Sequence, residues 1–239
     1  MSERPIAVVV AMKREVAPLL QGRRGVRKSG LQLFEMGAAA IAIGGIGRNA
    51  ASHTAEFLAR EYSPGLLVSA GIAGAVADTA KVGDIFFAQQ VVDADSGERF
   101  ASCGERGTVV TVSSVSGPDD KRKLAEHWQA DVAEMEASAV ANVAKTRGID
   151  FLAIKTISDE PGFVMPPLGR FVSRDGKFHM LRFSAFLALH PEWWKCVGQL
   201  NSNSRIASVK LSEALRHLID RWSHNQNAGP PIAAKAEHA

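Results

Sequence analysis

Short apolar runs alternate with helical patterns along most of the chain. Runs rich in β-branched and other apolar side chains predict strands at residues 6–12, 31–36, 39–43, 65–70, 84–92, 108–112 and 151–158. Apolar side chains that recur every three or four positions predict helices at residues 48–62 and 138–147. The second and third runs are close enough to form a hairpin that turns at Gly37. This alternation is typical of an α/β protein built around a largely parallel sheet.

The residue pattern changes after Pro161. Residues 162–177 are rich in glycine, proline and mixed polar side chains, which predicts a mobile loop. Further helices are predicted at residues 178–189 and over much of 191–222. The chain shows no internal repeat and no linker, so residues 1–223 are expected to form one domain. Residues 224–239 have few apolar side chains and are expected to form a flexible tail.

Composition restricts the class of protein. Of the 239 residues, 46% are hydrophobic and 22% are charged, which indicates a globular protein without a membrane partner. The net charge of +3 comes from basic residues scattered among 25 acidic ones, so no nucleic-acid partner is expected. A polar start followed by a short apolar run lacks the pattern of a secretory signal, which predicts a cytoplasmic protein. The distant Cys103 and Cys196 predict free thiols, and the histidines show no metal-ligand spacing.

Two glycine-containing segments could hold a ligand. Residues 45–50 satisfy the G-x-G-x-x-[GA] pattern of dinucleotide-binding turns. The next predicted strand ends in Ser69 and Ala70, however, without the acidic residue that would hold a ribose, so a tight strand-to-helix turn is favoured over NAD binding. Residues 69–74 follow the central strand as a predicted glycine loop, at the place where an open α/β sheet binds its ligand. Close packing of two elements would use the same small residues.

Three acidic side chains lie at predicted junctions that surface solvation does not explain. Glu15 follows the first strand, Glu136 lies between an apolar segment and a helix, and Asp159 ends the last predicted strand. Taken singly, each could be a helix-terminal or capping residue. All three are predicted near the carboxyl ends of strands, where α/β proteins place their sites.

The segments around these carboxylates resemble the nucleoside phosphorylase superfamily, and most closely its hydrolytic branch, the methylthioadenosine and adenosylhomocysteine nucleosidases. The matching segments, in family order, are Ala11-Met12-x-x-Glu15-Val16, Gly45-Ile46-Gly47, Ala70-Gly71-Ile72-Ala73-Gly74, Val82-Gly83-Asp84, Glu134-Met135-Glu136-Ala137 and Ile157-Ser158-Asp159. They span residues 6–160. The resemblance implies a single α/β domain with a mixed central sheet flanked by helices, as in nucleoside phosphorylases.

The same resemblance implies a cofactor-independent enzyme that hydrolyses the N-glycosidic bond of a purine nucleoside or 5′-modified adenosine. Asp159 would protonate the purine N7, Glu136 would accept hydrogen bonds from the 2′ and 3′ hydroxyls, and Glu15 would orient the attacking water. Cleavage passes through an oxocarbenium-like sugar, which gains from each of these functions. The residues expected to bind the small-molecule nucleoside are Met135, Ala70, Gly71, Ile72, Ser114, Val115, Ser158 and Phe163. A homo-oligomer, most simply a dimer, is also implied, because family members build their sites near subunit contacts.

Departures from the family pattern leave the acceptor and the substrate open. Ser69 and Ile72 stand where phosphorylases have an arginine and a hydroxyl residue that hold phosphate, which favours water as the acceptor. Arg48 and Arg60 are possible substitutes for that arginine. The aromatic residue that covers adenine in the nucleosidases aligns with Ser114. Candidate replacements are Phe163, Phe171 and Phe178. The alternatives are a phosphate-dependent purine nucleoside phosphorylase and a non-catalytic nucleoside- or NAD-binding module.

Overall fold

The computed structural model describes residues 4–114, 117–173 and 176–225. Its strands are β1 (Ile6–Val10), β2 (Val26–Lys28), β3 (Leu31–Met36), β4 (Ala39–Ile43), β5 (Leu66–Ala75), β6 (Ile85–Phe87), β7 (Gln90–Asp93), β8 (Arg99–Ala101), β9 (Thr108–Thr111), β10 (Val132–Glu134) and β11 (Asp150–Asp159). Its α-helices are α1 (Arg48–Tyr62), α2 (Pro118–Trp128), α3 (Ala137–Arg147), α4 (Met180–Leu189) and α5 (Trp194–Asn225). Short 3₁₀ helices cover Lys13–Val16, Leu168–Phe171 and Pro191–Trp193. Within the described ranges, no helix has the length and apolar character needed to cross a membrane.

The strands form a mixed sheet in which β5 is central. β1 pairs in parallel with β4 and β5, and β5 pairs in parallel with β11 along its other edge. β9 pairs in parallel with β7 and β10, while β10 meets the end of β5 in antiparallel register. Antiparallel pairs add β2 and β3 at one side, β8 at the other, and β6 next to β11. The carboxyl ends of β10 and β11 therefore meet beside Gly74 near the end of β5, and the carboxyl end of β1 lies beside Ala70 in the same strand.

Helices cover both faces of the sheet. Ala7 and Val9 of β1 pack into an apolar cluster that contains residues of α1 and α3, whereas Val8 packs into a second cluster with residues of α5. A strand that is buried on both faces has a continuous apolar sequence, which is the pattern seen for β1. The structure thus confirms an α/β fold with a mixed central sheet flanked by helices.

Several predicted elements agree with the structure, and others differ in extent. β3, β4 and α1 have the predicted bounds. The first strand ends at Val10, because the chain enters the 3₁₀ helix Lys13–Val16 soon afterwards. The predicted strand at residues 84–92 is two strands, since β6 pairs with β11 whereas β7 pairs with β8 and β9.

The prediction of a glycine loop after the central strand is wrong. β5 continues to Ala75, and its pairing with β11 extends as far as Gly74, so residues 69–74 lie in a strand. The small residues are required by close packing across this strand. A Cβ atom at Gly74 would lie 2.8 Å from Oδ2 of Asp159 and 3.1 Å from Nζ of Lys121.

The C-terminal third is helical as predicted, with shifted bounds. α4 begins at Met180, and α5 continues to Asn225, two residues into the predicted tail. The rest of that tail, residues 226–239, lies outside the described part of the chain. Within the predicted loop 162–177, the structure describes the 3₁₀ helix Leu168–Phe171 and an isolated bridge from Val172 to Phe178.

Two elements next to the site, α2 and β10, were absent from the sequence prediction. Pro118 at the first turn of α2 is a recognised helix start, but most residues of this helix are polar, and its buried residue is Lys121. Its apolar side chains, Leu124, Ala125 and Trp128, are confined to its second half, where they pack partly buried against an apolar cluster, so the periodic signal is short. β10 has three residues, which is too short for an alternation to be recognised.

Candidate active site

A cavity of about 550 Å³ lies beside the ends of β1, β5, β10 and β11. This volume is within the range of small-molecule sites. The three predicted carboxylates, Glu15, Glu136 and Asp159, all line it. Residues from the later chain complete the lining, among them Leu168, Val172, Phe178 and Leu200. The fold therefore brings together acidic residues that are far apart in sequence, and it adds an apolar wall from the C-terminal third.

Glu15 is a buried carboxyl group on the 3₁₀ helix that follows β1. Its Oε2 accepts a hydrogen bond from the backbone N–H of Met12 at 2.9 Å, and its Oε1 accepts one from Ile72 at 3.3 Å. Burial raises the pKa of Glu15 above 4.5, while these two N–H groups and the nearby Lys155 oppose the rise. The carboxyl group is thus held in place by backbone donors from two elements and is more basic than a surface glutamate.

Glu136 lies between β10 and α3, at the position that precedes the helix. Its Oε1 accepts a hydrogen bond of 2.7 Å from the backbone N–H of Gly47. Gly47 has a φ of 91°, which a glycine adopts without strain. Burial and the nearby Glu134 carboxylate raise the pKa of Glu136 from 4.5 to about 8, against the opposing effect of Lys155. The predicted turn at residues 45–50 therefore serves to orient a carboxyl group in the cavity.

Asp159 is the last residue of β11 and is buried. The register with β5 shifts between Ile157 and Asp159, and such irregularities often reorient side chains near active sites. Its Oδ1 accepts a hydrogen bond of 2.7 Å from the Ser158 hydroxyl. Its Oδ2 forms a buried ion pair with Nζ of Lys121, which comes from α2. Both carboxylate oxygens are therefore bonded in this structure.

A buried charged network lies under the two glutamates. Nζ of Lys155 pairs with Oε2 of Glu134 at 2.7 Å and donates to the Ser69 hydroxyl at 3.0 Å. Glu134 also accepts a 2.6 Å hydrogen bond from the Thr111 hydroxyl, and both of its oxygens accept from the backbone N–H of Ala137, the first residue of α3. Glu134 thus fixes the start of α3, and Lys155 places a positive charge near the cavity carboxylates.

Most of the predicted substrate-binding residues lie at or beside this cavity. Met135, Ile72, Ser114 and Ser158 line it. Ala70 and Gly71 lie outside its lining. Gly71 is nevertheless next to two charged groups, since a Cβ atom there would be 3.6 Å from Nζ of Lys155 and 3.7 Å from Oε1 of Glu15. Val115 falls outside the described residues.

Of the candidates named from the sequence for base stacking and for phosphate binding, Phe178 lines the cavity, and the others lie elsewhere. Phe163 does not line the cavity, because a turn closed by its N–H to Glu160 follows β11 directly; Phe178 lines it instead. Phe171 is buried against Phe178 and the aromatic side chains of α4. Arg48 is bound to Asp93 and Asp95. Arg60 lies in the last turn of α1, whereas the cavity is near the first turn of this helix.

Sequence reasoning missed two buried lysines. Lys155 interrupts the apolar run of β11, and a lysine in such a run is itself a signal, because lysine is almost never fully buried without a partner. Lys121 offers no comparable signal, since it stands in a polar segment. Over residues 4–114, 117–173 and 176–225, no group of His, Cys, Asp and Glu side chains is arranged to hold a metal ion.

Comparisons with known proteins agree with this geometry. A family model described as the phosphorylase superfamily matches residues 5–105 and 102–166. A 5′-methylthioadenosine/S-adenosylhomocysteine nucleosidase from Shewanella oneidensis is 25% identical over 196 residues, which cover 64% of this chain and 83% of that protein. The family match confirms the resemblance drawn from the sequence.

Solved structures share the fold at low sequence identity. The 5′-methylthioadenosine nucleosidase of Arabidopsis thaliana in apo form has a TM-score of 0.72 and 17% identity, with 93% of this chain and 97% of that chain covered. Futalosine hydrolase of Helicobacter pylori has a TM-score of 0.65 and 16% identity, with 90% and 98% covered. At such identities the likeness establishes the fold.

Proposed function

Since the chain belongs to the phosphorylase superfamily, we propose that it hydrolyses the N-glycosidic bond of a purine nucleoside or 5′-modified adenosine and releases the base. The observation that carries this proposal is the convergence of Glu15, Glu136 and Asp159 on one cavity of small-molecule size. The names of the matched relatives, nucleosidases and a hydrolase, support the same reaction class.

The chemistry requires three functions, and the cavity offers one carboxyl group for each. As the bond from C1′ to N9 breaks, the sugar becomes oxocarbenium-like and the base accumulates negative charge. In this proposal Asp159 passes a proton to the purine N7, and Glu136 binds the 2′ and 3′ hydroxyls beside Met135. Glu15 accepts the proton of the attacking water, and its raised pKa makes it a better base than a surface glutamate.

Water is favoured over phosphate because Arg48 and Lys155, two basic residues near Glu136, are already paired with other carboxylates. Arg48 is held by Asp93 and Asp95, and the side chain of Ile72 has no hydrogen-bond donor. Lys155 is paired with Glu134. A dianion next to Glu15 and Glu136 would therefore meet acidic side chains. Two other basic residues of the described lining, Arg14 and Lys121, are exposed to solvent and paired with Asp159, respectively.

Residues of the later part of the chain are proposed to contact the base and the 5′ substituent. Ser114 stands at the family's stacking position, so Phe178 is the aromatic side chain proposed to contact the base or the 5′ group. Leu168, Val172 and Leu200 add apolar surface, which suits a 5′ substituent with little charge.

We also propose a cytoplasmic homo-oligomer, most simply a dimer. Leu181 and Leu189 of α4 and Trp194 of α5 are largely exposed, and a second copy would cover such apolar surface. Light scattering after gel filtration tests this, and a strictly monomeric protein at micromolar concentration would contradict it.

The decisive experiment measures base release from methylthioadenosine, adenosine and inosine, with and without phosphate. Hydrolysis predicts turnover that is independent of phosphate, whereas an absolute requirement for phosphate would favour a phosphorylase. Asp159→Asn and Glu136→Gln should each reduce kcat by about 10²-fold or more, as expected on removal of a general acid or of sugar contacts. Glu126→Gln, which changes an exposed glutamate on α2, is the matched control. If the wild type released no base from any of the three nucleosides, a non-catalytic binding module would be favoured, whereas unchanged turnover in both site variants would reject the roles assigned to Asp159 and Glu136.

A further inference from the structure

Lys121 is a buried cation at the site to which the roles above assign no function. It comes from α2, its side chain is 2% exposed, and it lines the cavity. Its Nζ pairs with Oδ2 of Asp159 and also donates to the backbone carbonyl of Glu160 at 3.0 Å. Burying an ammonium group costs free energy, so its placement beside the proposed general acid calls for an explanation in the chemistry.

Neighbouring residues position the ion pair of Lys121 and Asp159. The Ser158 hydroxyl donates to Oδ1 of Asp159, so both oxygens of this carboxylate accept hydrogen bonds. Gly74 on the adjacent β5 leaves the space that the pair occupies, since a Cβ atom there would approach both charged groups to about 3 Å. Nearby, the Glu160 carboxylate faces Lys81 at 3.9 Å. On α2, Asp119 and Arg122 form an exposed pair of their own.

An ion-paired Asp159 has no proton to give to the leaving base. We propose that Lys121 supplies the proton that Asp159 passes to the purine, an inference that rests on the proposed function. The proton moves from Nζ of Lys121 to Oδ2 of Asp159 and on to N7, as the bond from C1′ to N9 breaks and its electron pair stays with the base.

The proton balance closes over one turnover. The water oxygen bonds to C1′, and Glu15 takes up the water proton. The base leaves with the proton from Lys121, which is then a neutral amine. Solvent carries the proton of Glu15 back to Lys121, so the net reaction adds one water to the nucleoside.

Supplying a proton is a different role for Lys121 from holding a positive charge next to Asp159. Arginine would keep an ion pair with Asp159, but a guanidinium group does not release its proton in proteins. An ammonium group, in contrast, remains a proton source at pH values at which carboxyl groups are ionised. Lys121 is therefore a positioning residue that acts through Asp159, and the lysine-to-arginine exchange separates proton supply from ion pairing.

The test compares Lys121→Arg and Lys121→Met with the wild type across pH 5 to 9. For a purine nucleoside we expect kcat to fall about 10²-fold or more in both variants, with KM changed by less than about fivefold. In Lys121→Met, the decline of kcat on the alkaline side of its pH profile should begin at a lower pH than in the wild type. Lys123→Met, an exposed position on the same helix, is the control and should match the wild type.

A second substrate identifies the step. 4-Nitrophenyl ribofuranoside has a leaving group that needs no proton, so both variants should retain wild-type rates on it to within about threefold. Lys121→Arg with wild-type kcat on the nucleoside would overturn the proposal, as would an equal loss on both substrates. If the wild type cleaves no nucleoside, the proposed function itself fails; if it cleaves them and only these variant results disagree, the function stands and the proton route falls.

Discussion

Replacing Glu136 by glutamine removes one titratable group without changing the shape of the side chain. The Oε1 atom of glutamine can still accept the hydrogen bond from Gly47. In the wild type, burial and the Glu134 carboxylate raise the pKa of Glu136 from 4.5 to about 8. The variant therefore tests whether ionisation of Glu136 lowers the free energy of unfolding as pH rises.

The sign of the effect follows from proton binding. Below about pH 4.5 both the folded and the unfolded chain keep the proton of Glu136. Between about pH 4.5 and 8 the folded chain keeps it while the unfolded chain loses it, so the free energy of unfolding falls as pH rises. One pKa unit corresponds to about 1.4 kcal/mol, which sets an upper limit of about 5 kcal/mol. Relaxation and cavity water reduce this, and we expect roughly 2 kcal/mol.

The assay is urea unfolding of both proteins between pH 5 and 9. Glu136→Gln should match the wild type at pH 5 and become more stable by roughly 2 kcal/mol at pH 8 and above. The exposed Glu126→Gln should follow the wild type at every pH. A difference between Glu136→Gln and the wild type that stays constant over this range would refute the reasoning, because it would show that Glu136 does not titrate differently on folding.

Two further substitutions test the packing of charges around the cavity. Lys155→Met leaves the buried Glu134 carboxylate without its cation and should cost about 3–5 kcal/mol in urea unfolding at pH 7; a loss below about 1 kcal/mol would contradict the buried pair. Gly74→Ala places a Cβ atom 2.8 Å from Oδ2 of Asp159 and should lower kcat for base release about tenfold or more. Gly117→Ala is its control, because none of the neighbours that the structure describes would lie within 4 Å of the added carbon, and equal kcat in both variants would reject the steric argument.

Local sequence patterns predicted much of the sheet and the first helix. β3, β4 and α1 have the predicted bounds because each consists of a continuous periodic run with a glycine or a polar residue at its end. The flanking motifs also placed Glu15 after β1 and Asp159 at the end of β11. β5 was predicted too short, because its small residues are typical of a loop, whereas they permit close packing of Asp159 across the strand.

The sequence by itself determined which carboxylates stand at strand ends, since that placement depends on neighbours along the chain. Only the tertiary structure decided their partners. Lys121 reaches Asp159 from a helix whose sequence is mostly polar, and the backbone N–H of Gly47 donates to Glu136 across 89 positions of sequence. Which candidate aromatic residue lines the cavity, Phe178 and not Phe163, likewise depends on how the chain turns after β11. These contacts are set by packing between elements that are distant in sequence, and such packing leaves no periodic signal in the sequence.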